Sequence, residues 1–181
     1  MKLSILIPAR DEEWLQQTID DIFQHSELGD DMEILVGLDG WHTELQKRSN
    51  LRVFETSGVK GQRATQNALA RQSEAKFVMK LDAHVSMSQG FDRIMIEIIE
   101  ANPNIVLVPA LTNLHVYNWV CPQGHKTYQG KVDKCSQCEE TKLEKELVWK
   151  NNTKIYSDFR FNKDLIFEYG DVENYEILHE I

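Results

Sequence analysis

Asp82 and His84 stand one residue apart, directly after the apolar run Phe77-Val78-Met79-Lys80-Leu81. In extended backbone, residues i and i+2 project to the same side. A carboxylate and an imidazole at this spacing can therefore grip one divalent cation at the end of a strand. In an open α/β sheet, the carboxyl ends of the strands are where ligands bind. The spacing is weak by itself, because paired acids at the same interval also occur in Asp11-Glu12-Glu13 and Asp171-Val172-Glu173. Asp82 as a turn cap and His84 as an ordinary loop histidine are the bland alternatives.

A second set of ligands lies downstream, in the pattern Cys121-x3-His125-x9-Cys135-x2-Cys138. All three cysteines of the chain fall inside it, which argues for metal and against a disulfide framework. Four thiol and imidazole donors in two short knuckles match a structural zinc site, tetrahedral and closed. The Cys135/Cys138 half is tight and the Cys121/His125 half looser; free buried thiols are the alternative. Bound zinc would hold together a segment too polar to fold by itself. The segment is only sparsely basic (Lys126, Lys131, Lys134) and is flanked by Glu139, Glu140, Glu144 and Glu146. A lid or packing element is expected there, not a nucleic-acid contact.

These groups need elements to position them, and the first hundred residues alternate in a regular way. Residues 3–7 read as a strand ended by Pro8. Trp14, Leu15, Thr18, Ile19, Ile22 and Phe23 then recur at helical spacing, with Asp11, Glu12 and Glu13 expected in the first turn. Strands are expected over Met32–Leu38, Leu51–Glu55 and residues 77–81. Helices are expected over residues 62–72 and along Phe91, Ile94, Met95, Ile98 and Ile99. Residues 105–108 read as one more buried strand, stopped by Pro109. Alternation of this kind predicts βαβ units around a mostly parallel sheet. Right-handed crossovers then bring the loops at Ala9–Glu12, Asp39-Gly40 and Asp82–His84 to one edge. Beyond about residue 111 the pattern changes, and residues 144–181 show no clear period.

With 181 residues, 41% hydrophobic and 27% charged, the chain suits a globular domain of ordinary size. No apolar run approaches the roughly 18–20 residues of a membrane span. The first eight residues resemble a strand more than a signal peptide, so a cytoplasmic protein is expected. A net charge of −9 argues against a broad nucleic-acid-binding surface. It leaves room for a nucleotide held by a few basic groups or a cation. The chain closes on Ile181 with no polar tail, so a truncated version of a longer protein is the expectation.

The ordered motifs of residues 1–110 resemble the nucleotide-diphosphosugar glycosyltransferases of the family 2 type, which have the GT-A fold. Leu3-Ser4-Ile5-Leu6-Ile7-Pro8-Ala9-Arg10-Asp11-Glu12-Glu13 looks like their first strand and loop. Asp39 matches the acid that contacts the nucleotide base, and Gly61-Gln62-Arg63 looks like the Gly-x-Arg segment before the metal motif. Leu81-Asp82-Ala83-His84 matches the Asp-x-Asp position in the Asp-x-His form of the polypeptide N-acetylgalactosaminyltransferases. The resemblance implies a nucleotide-sugar donor, UDP-linked, and an acceptor that the sequence does not identify. It also implies manganese or magnesium at Asp82 and His84, with the imidazole favouring manganese. Pro8, Ala9, Arg10, Glu12, Asp39, Arg63 and Asp82 would form the nucleotide floor. Taken alone, Asp39-Gly40 is a common turn pair and Arg63 an ordinary surface charge.

The expected organisation is a nucleotide-sugar-binding domain over 1–115, a zinc-ribbon-like insert over 116–150 and an acceptor-side segment over 151–181. No downstream base motif or third metal ligand matches, so inversion and retention both stay open. Asp171 and Glu173 are candidate catalytic acids by charge alone. The alternatives are a zinc-ribbon binding module on an inactive α/β scaffold and a nucleotidyltransferase. The second ranks lower because residues 9–13 contain no glycine with which to cradle phosphates.

Overall fold

The computed structural model describes residues 1–155, 158–161 and 167–170. Two compact units divide between Leu107 and Val108. The first contains β1 (Leu3–Ala9), α1 (Leu15–His25), β2 (Met32–Leu38), β3 (Leu51–Glu55), α2 (Gln62–Gln72), β4 (Phe77–Lys80) and α3 (Phe91–Ala101). Its four strands form one parallel sheet in the order β3-β2-β1-β4. The α/β class and parallel sheet expected from the sequence are the ones observed.

β1 and β2 are buried along their whole length, which explains why they read as continuous apolar runs and not as alternating ones. Ile5 and Ile7 face Leu15, Ile19 and Ile22 of α1 and Phe91 and Ile96 of α3. Leu6 and Leu35 on the opposite face meet Leu69 of α2. α1 and α3 thus cover one face and α2 the other. Asp92, fully buried, ties α3 to the end of α1 by accepting the Ser26 hydroxyl and the Glu27 and Leu28 N–H groups.

α2 approaches β2 closely because position 37 has no side chain. A Cβ there would lie 2.5 Å from Thr65 Cγ2 and 3.2 Å from Leu69 Cδ1. Gly37→Ala is expected to destabilise the fold by about 1–3 kcal/mol, the usual range for overpacking. Adding Thr65→Ser removes the clashing methyl and should recover part of the loss. Urea unfolding of the two single variants and the double variant measures this, and strict additivity would show that the clash is not the cause.

Three local expectations change. β1 runs through Pro8, whose register partner is Gly37, to Ala9. Leu6 O accepts the Leu81 N–H, so residues 6 and 8 turn their backbone toward β4, whose own pairing stops at Lys80 opposite Leu6. The missing proline donor therefore falls where no ladder remains to need it. Asp11, Glu12 and Glu13 precede α1 and do not lie in its first turn, which contains no acid. Asp11, at φ 55, turns the chain between β1 and α1.

Residues 105–108 are not a buried strand. Ile105, Val106 and Val108 are 39%, 91% and 53% exposed, and the run spans the division between the units. Apolar content permits a strand but does not supply a partner edge, and Pro109 removes one donor from any ladder formed there.

The second unit contains an antiparallel sheet in the order β6-β5-β7, built from β5 (Thr112–Val120), β6 (Lys126–Tyr128) and β7 (Glu144–Ile155). A separate hairpin pairs β8 (Asp158–Phe161) with β9 (Phe167–Gly170). β5 crosses residue 115, where the sequence placed the end of the first domain. Among the described residues, no helix is long and apolar enough to cross a membrane.

Candidate active site

The order β3-β2-β1-β4 reverses the direction of sheet growth between β1 and β4. In an open parallel sheet, such a reversal opens a crevice beyond the carboxyl ends of the two strands. The loop after β1 holds Arg10, Asp11 and Glu12, and the loop after β4 holds Asp82, Ala83 and His84. Thr18 of α1 joins the two sides. Its hydroxyl donates to Ala83 O at 3.0 Å and accepts the Val85 N–H at 3.2 Å.

His84 Nδ1 lies 3.2 Å from Glu12 Oε2. Asp82 Oδ1 is paired with the Lys80 ammonium and accepts Gln62 Nε2 at 3.3 Å. Asp82 and His84 therefore share one loop but rest on different neighbours. Asp82, 46% exposed, and His84, 54% exposed, are both open to solvent. The donors at this edge, two carboxylates and an imidazole, fit manganese in kind. A divalent ion on Asp82 would have to displace the Lys80 ammonium, which already supplies a positive charge there.

Asp39, at the carboxyl end of β2, is the most constrained of the expected residues. Its side chain is buried. Oδ1 accepts the Lys60 N–H at 2.6 Å and Oδ2 accepts the Gly61 N–H at 2.9 Å. The Lys60 N–H, with help from Gly61, holds this carboxyl below its ordinary range, although burial opposes the shift. Asp39 N–H in turn donates to Ala9 O at 2.8 Å. Gly61, at φ 90, then leads into α2, whose first residue is Gln62. A single chain of contacts thus runs from Ala9 through Asp39, Gly61 and Gln62 to Asp82.

Pro8 and Ala9 are buried, and Arg10 and Arg63 are exposed. Among the described residues Arg63 has no hydrogen-bonded or ionic partner. Asp171 and Glu173 lie outside the described residues. The sequence reading gave no role to Lys80 or Gln62. Lys80 stands two residues before Asp82 in an extended segment, so the same-side rule that paired Asp82 with His84 also pairs it with Lys80.

In the second unit, Cys121, His125, Cys135 and Cys138 come together with their ligand atoms within 4.8 Å of one another. Among the described residues, they are the one group of three or more acidic, histidine or cysteine side chains compact enough to hold a metal. The Gln137 N–H lowers the Cys135 thiol to about 6. At Cys138 the Glu140 N–H pulls down, but burial and the neighbouring sulfurs push the thiol up to about 11.

Residues 4–163 match the family model described as glycosyl transferase family 2. No curated protein matches the chain in sequence. Among solved structures, S. aureus TarS 1–349 in complex with UDP is similar at a TM-score of 0.51 and 16% identity, over 65% of this chain and 40% of that one. TarS 1–349 in complex with UDP-GlcNAc gives the same score and identity, over 65% of this chain and 39% of that one. The chain thus spans less than half the length of these neighbours, and at this identity the likeness concerns the fold. With the family match covering both the parallel sheet and the loops at its carboxyl edge, the chain belongs to glycosyl transferase family 2.

Proposed function

We propose that this chain binds a UDP-linked sugar at the carboxyl edge of β1, β2 and β4 and transfers the sugar, a hexose or N-acetylhexosamine, to an acceptor. The observation that carries this reading is the run of contacts from Ala9 and Asp39 through residues 61 and 62 to Asp82, with Glu12 and His84 across the same edge. The UDP and UDP-GlcNAc complexes of TarS support the choice of nucleotide and of first donor to test. Residues 1–115 would hold the donor, and residues 151–181 would lie on the acceptor side.

Each residue has a task suited to its surroundings. Asp39, held by the Lys60 and Gly61 N–H groups and by the Thr56 hydroxyl, would accept the imide N–H of uracil. Pro8 and Ala9, both buried, would shape the nucleotide floor, partly through backbone groups. Arg10 and Arg63 are exposed cations able to meet the diphosphate. Asp82 and His84 would hold manganese or magnesium, with Glu12 beside His84. Such an ion stabilises negative charge on the departing diphosphate as a Lewis acid. Lys80 and Gln62 set the orientation of Asp82 before the donor arrives.

Thermal unfolding with UDP-GlcNAc, UDP-glucose, UDP-galactose, GDP-mannose and nucleoside triphosphates, each with and without manganese, tests this reading. A UDP-sugar is expected to raise the melting temperature, and more so with manganese. At a donor concentration of 100 times Kd the stabilisation would be about 2.7 kcal/mol. Stabilisation by triphosphates alone would replace it with a nucleotidyltransferase, and no shift with any donor would remove it.

A further inference from the structure

We propose that Cys121, His125, Cys135 and Cys138 bind one zinc ion in a closed Cys3His site, and that this ion takes the place of a hydrophobic core over residues 108–151. Neither the family match nor the neighbouring structures assign a metal to these residues.

Three of the six ligand-to-ligand separations are those of a zinc tetrahedron, and all six lie within 4.8 Å. Zinc–sulfur bonds of about 2.3 Å and zinc–nitrogen bonds of about 2.0–2.1 Å imply S···S edges of about 3.8 Å and S···N edges of about 3.6 Å. Cys121 Sγ lies 3.7 Å from Cys138 Sγ and 3.6 Å from His125 Nδ1, and Cys135 Sγ lies 3.8 Å from His125 Nδ1. A disulfide would need its sulfurs at about 2.05 Å, and all three cysteines are free. His125 faces the Cys121 and Cys135 sulfurs through Nδ1, the nitrogen nearer its backbone.

Two turns aim the ligands. Val120 pairs with Lys126, so Cys121 and His125 close a short hairpin loop. Its bonds run from the Gly124 N–H to Cys121 O at 2.8 Å and from the Cys121 N–H to His125 O at 3.2 Å. Gly124 adopts φ 81, a left-handed value that glycine accepts without strain. In the second turn the Gln137 N–H points at Cys135 Sγ at 3.4 Å, and the Cys135 N–H donates to Glu140 O at 2.8 Å. An N–H aimed at a ligand sulfur steadies the negative charge that sulfur carries on a metal.

Burial gives an independent argument. Among the second-unit residues whose burial is described, only Cys121 and Cys135 are buried, at 3% and 1% exposure. The long strands β5 and β7 present half-exposed or exposed side chains throughout that stretch. A segment that buries little besides its ligands, as residues 108–151 do, draws stability from the bound ion. Four protein ligands leave no coordination position for substrate, so the ion is structural. On binding, the thiols give up their remaining protons to solvent, and three thiolates with a neutral imidazole surround the ion.

Elemental analysis of protein purified without added metal should find about one zinc per chain. Cys135→Ser with Cys138→Ser should reduce this to background. Cobalt exchanged for zinc provides a readout that does not depend on variant folding. Intense visible bands and sulfur-to-cobalt charge transfer are expected, with an intensity fitting three thiolates. A chelator should lower the melting temperature, zinc should restore it, and manganese should not, which separates this site from the one at Asp82. Zinc retained in the double serine variant, iron in its place, weak octahedral cobalt bands, or rescue by manganese would each overturn the assignment.

Discussion

Asp82→Ala is expected to slow sugar transfer by about 10²–10³-fold, the effect of weakening the hold on an ion that would act on developing charge. The fold should be nearly indifferent, because Asp82 is 46% exposed and its partners are surface groups; substitutions of that kind stay within about 0.5 kcal/mol. Lys80→Ala should move the metal requirement in the opposite direction. The Lys80 ammonium occupies Asp82 Oδ1, and a surface ion pair is worth about 0–1 kcal/mol. Removing it should lower the manganese concentration for half-maximal rate by up to about fivefold. Initial rates across a manganese titration measure both effects. If Asp82→Ala keeps more than a tenth of the parent rate, or Lys80→Ala raises the manganese requirement, the assigned roles are wrong.

Asp39→Asn should affect both the fold and the donor. The two carboxylate oxygens accept one backbone N–H each, from Lys60 and Gly61. Asparagine keeps one oxygen and turns an NH2 toward the other donor. Hydrogen bonds to a charged group contribute about 1.5–3 kcal/mol, so a loss in that range is expected at neutral pH. The pH dependence follows from the direction of the shift. Asp39 ionises below its ordinary 3.8 in the folded protein. Its contribution is therefore present above that value and lost as pH falls through the depressed one. Urea unfolding of parent and variant should give a stability gap that is full at pH 7 and closes in acid. A gap that stayed constant into acid would mean that the charge of Asp39 does not hold residues 60 and 61. In the donor assay, the variant should lose most of its stabilisation by UDP-sugars, because its side chain no longer presents two acceptors.

Much of the first unit was legible because its signals are local. The buried runs of β1 and β2 and the 3–4 spacing of Leu15, Ile19 and Ile22 state which surfaces must be covered. Residues 105–108 carried the same apolar signal without becoming a strand, since a strand also needs an edge to pair with. The second unit's sheet was not legible for the converse reason. β5 and β7 slip register between Thr112 and Leu114 and again between His115 and Tyr117. Each slip breaks the period-2 alternation by which a strand is recognised. The buried Asp92, bonded to residues more than sixty positions earlier, left no trace in local pattern either.

The sequence by itself determined the α/β class and the loops gathered at the sheet's carboxyl edge, and it marked the candidate residues there and in the cysteine segment. Those properties follow from residue type and short spacing. Only the tertiary structure decided which distant partner each group takes: Gln62 on Asp82, Glu12 on His84, the backbone of Lys60 and Gly61 on Asp39. It also brought His125 to within 3.8 Å of Cys135. A polar side chain takes whichever partner the packing of distant elements brings within about 3 Å of it, and that distance is set by strand order and helix placement.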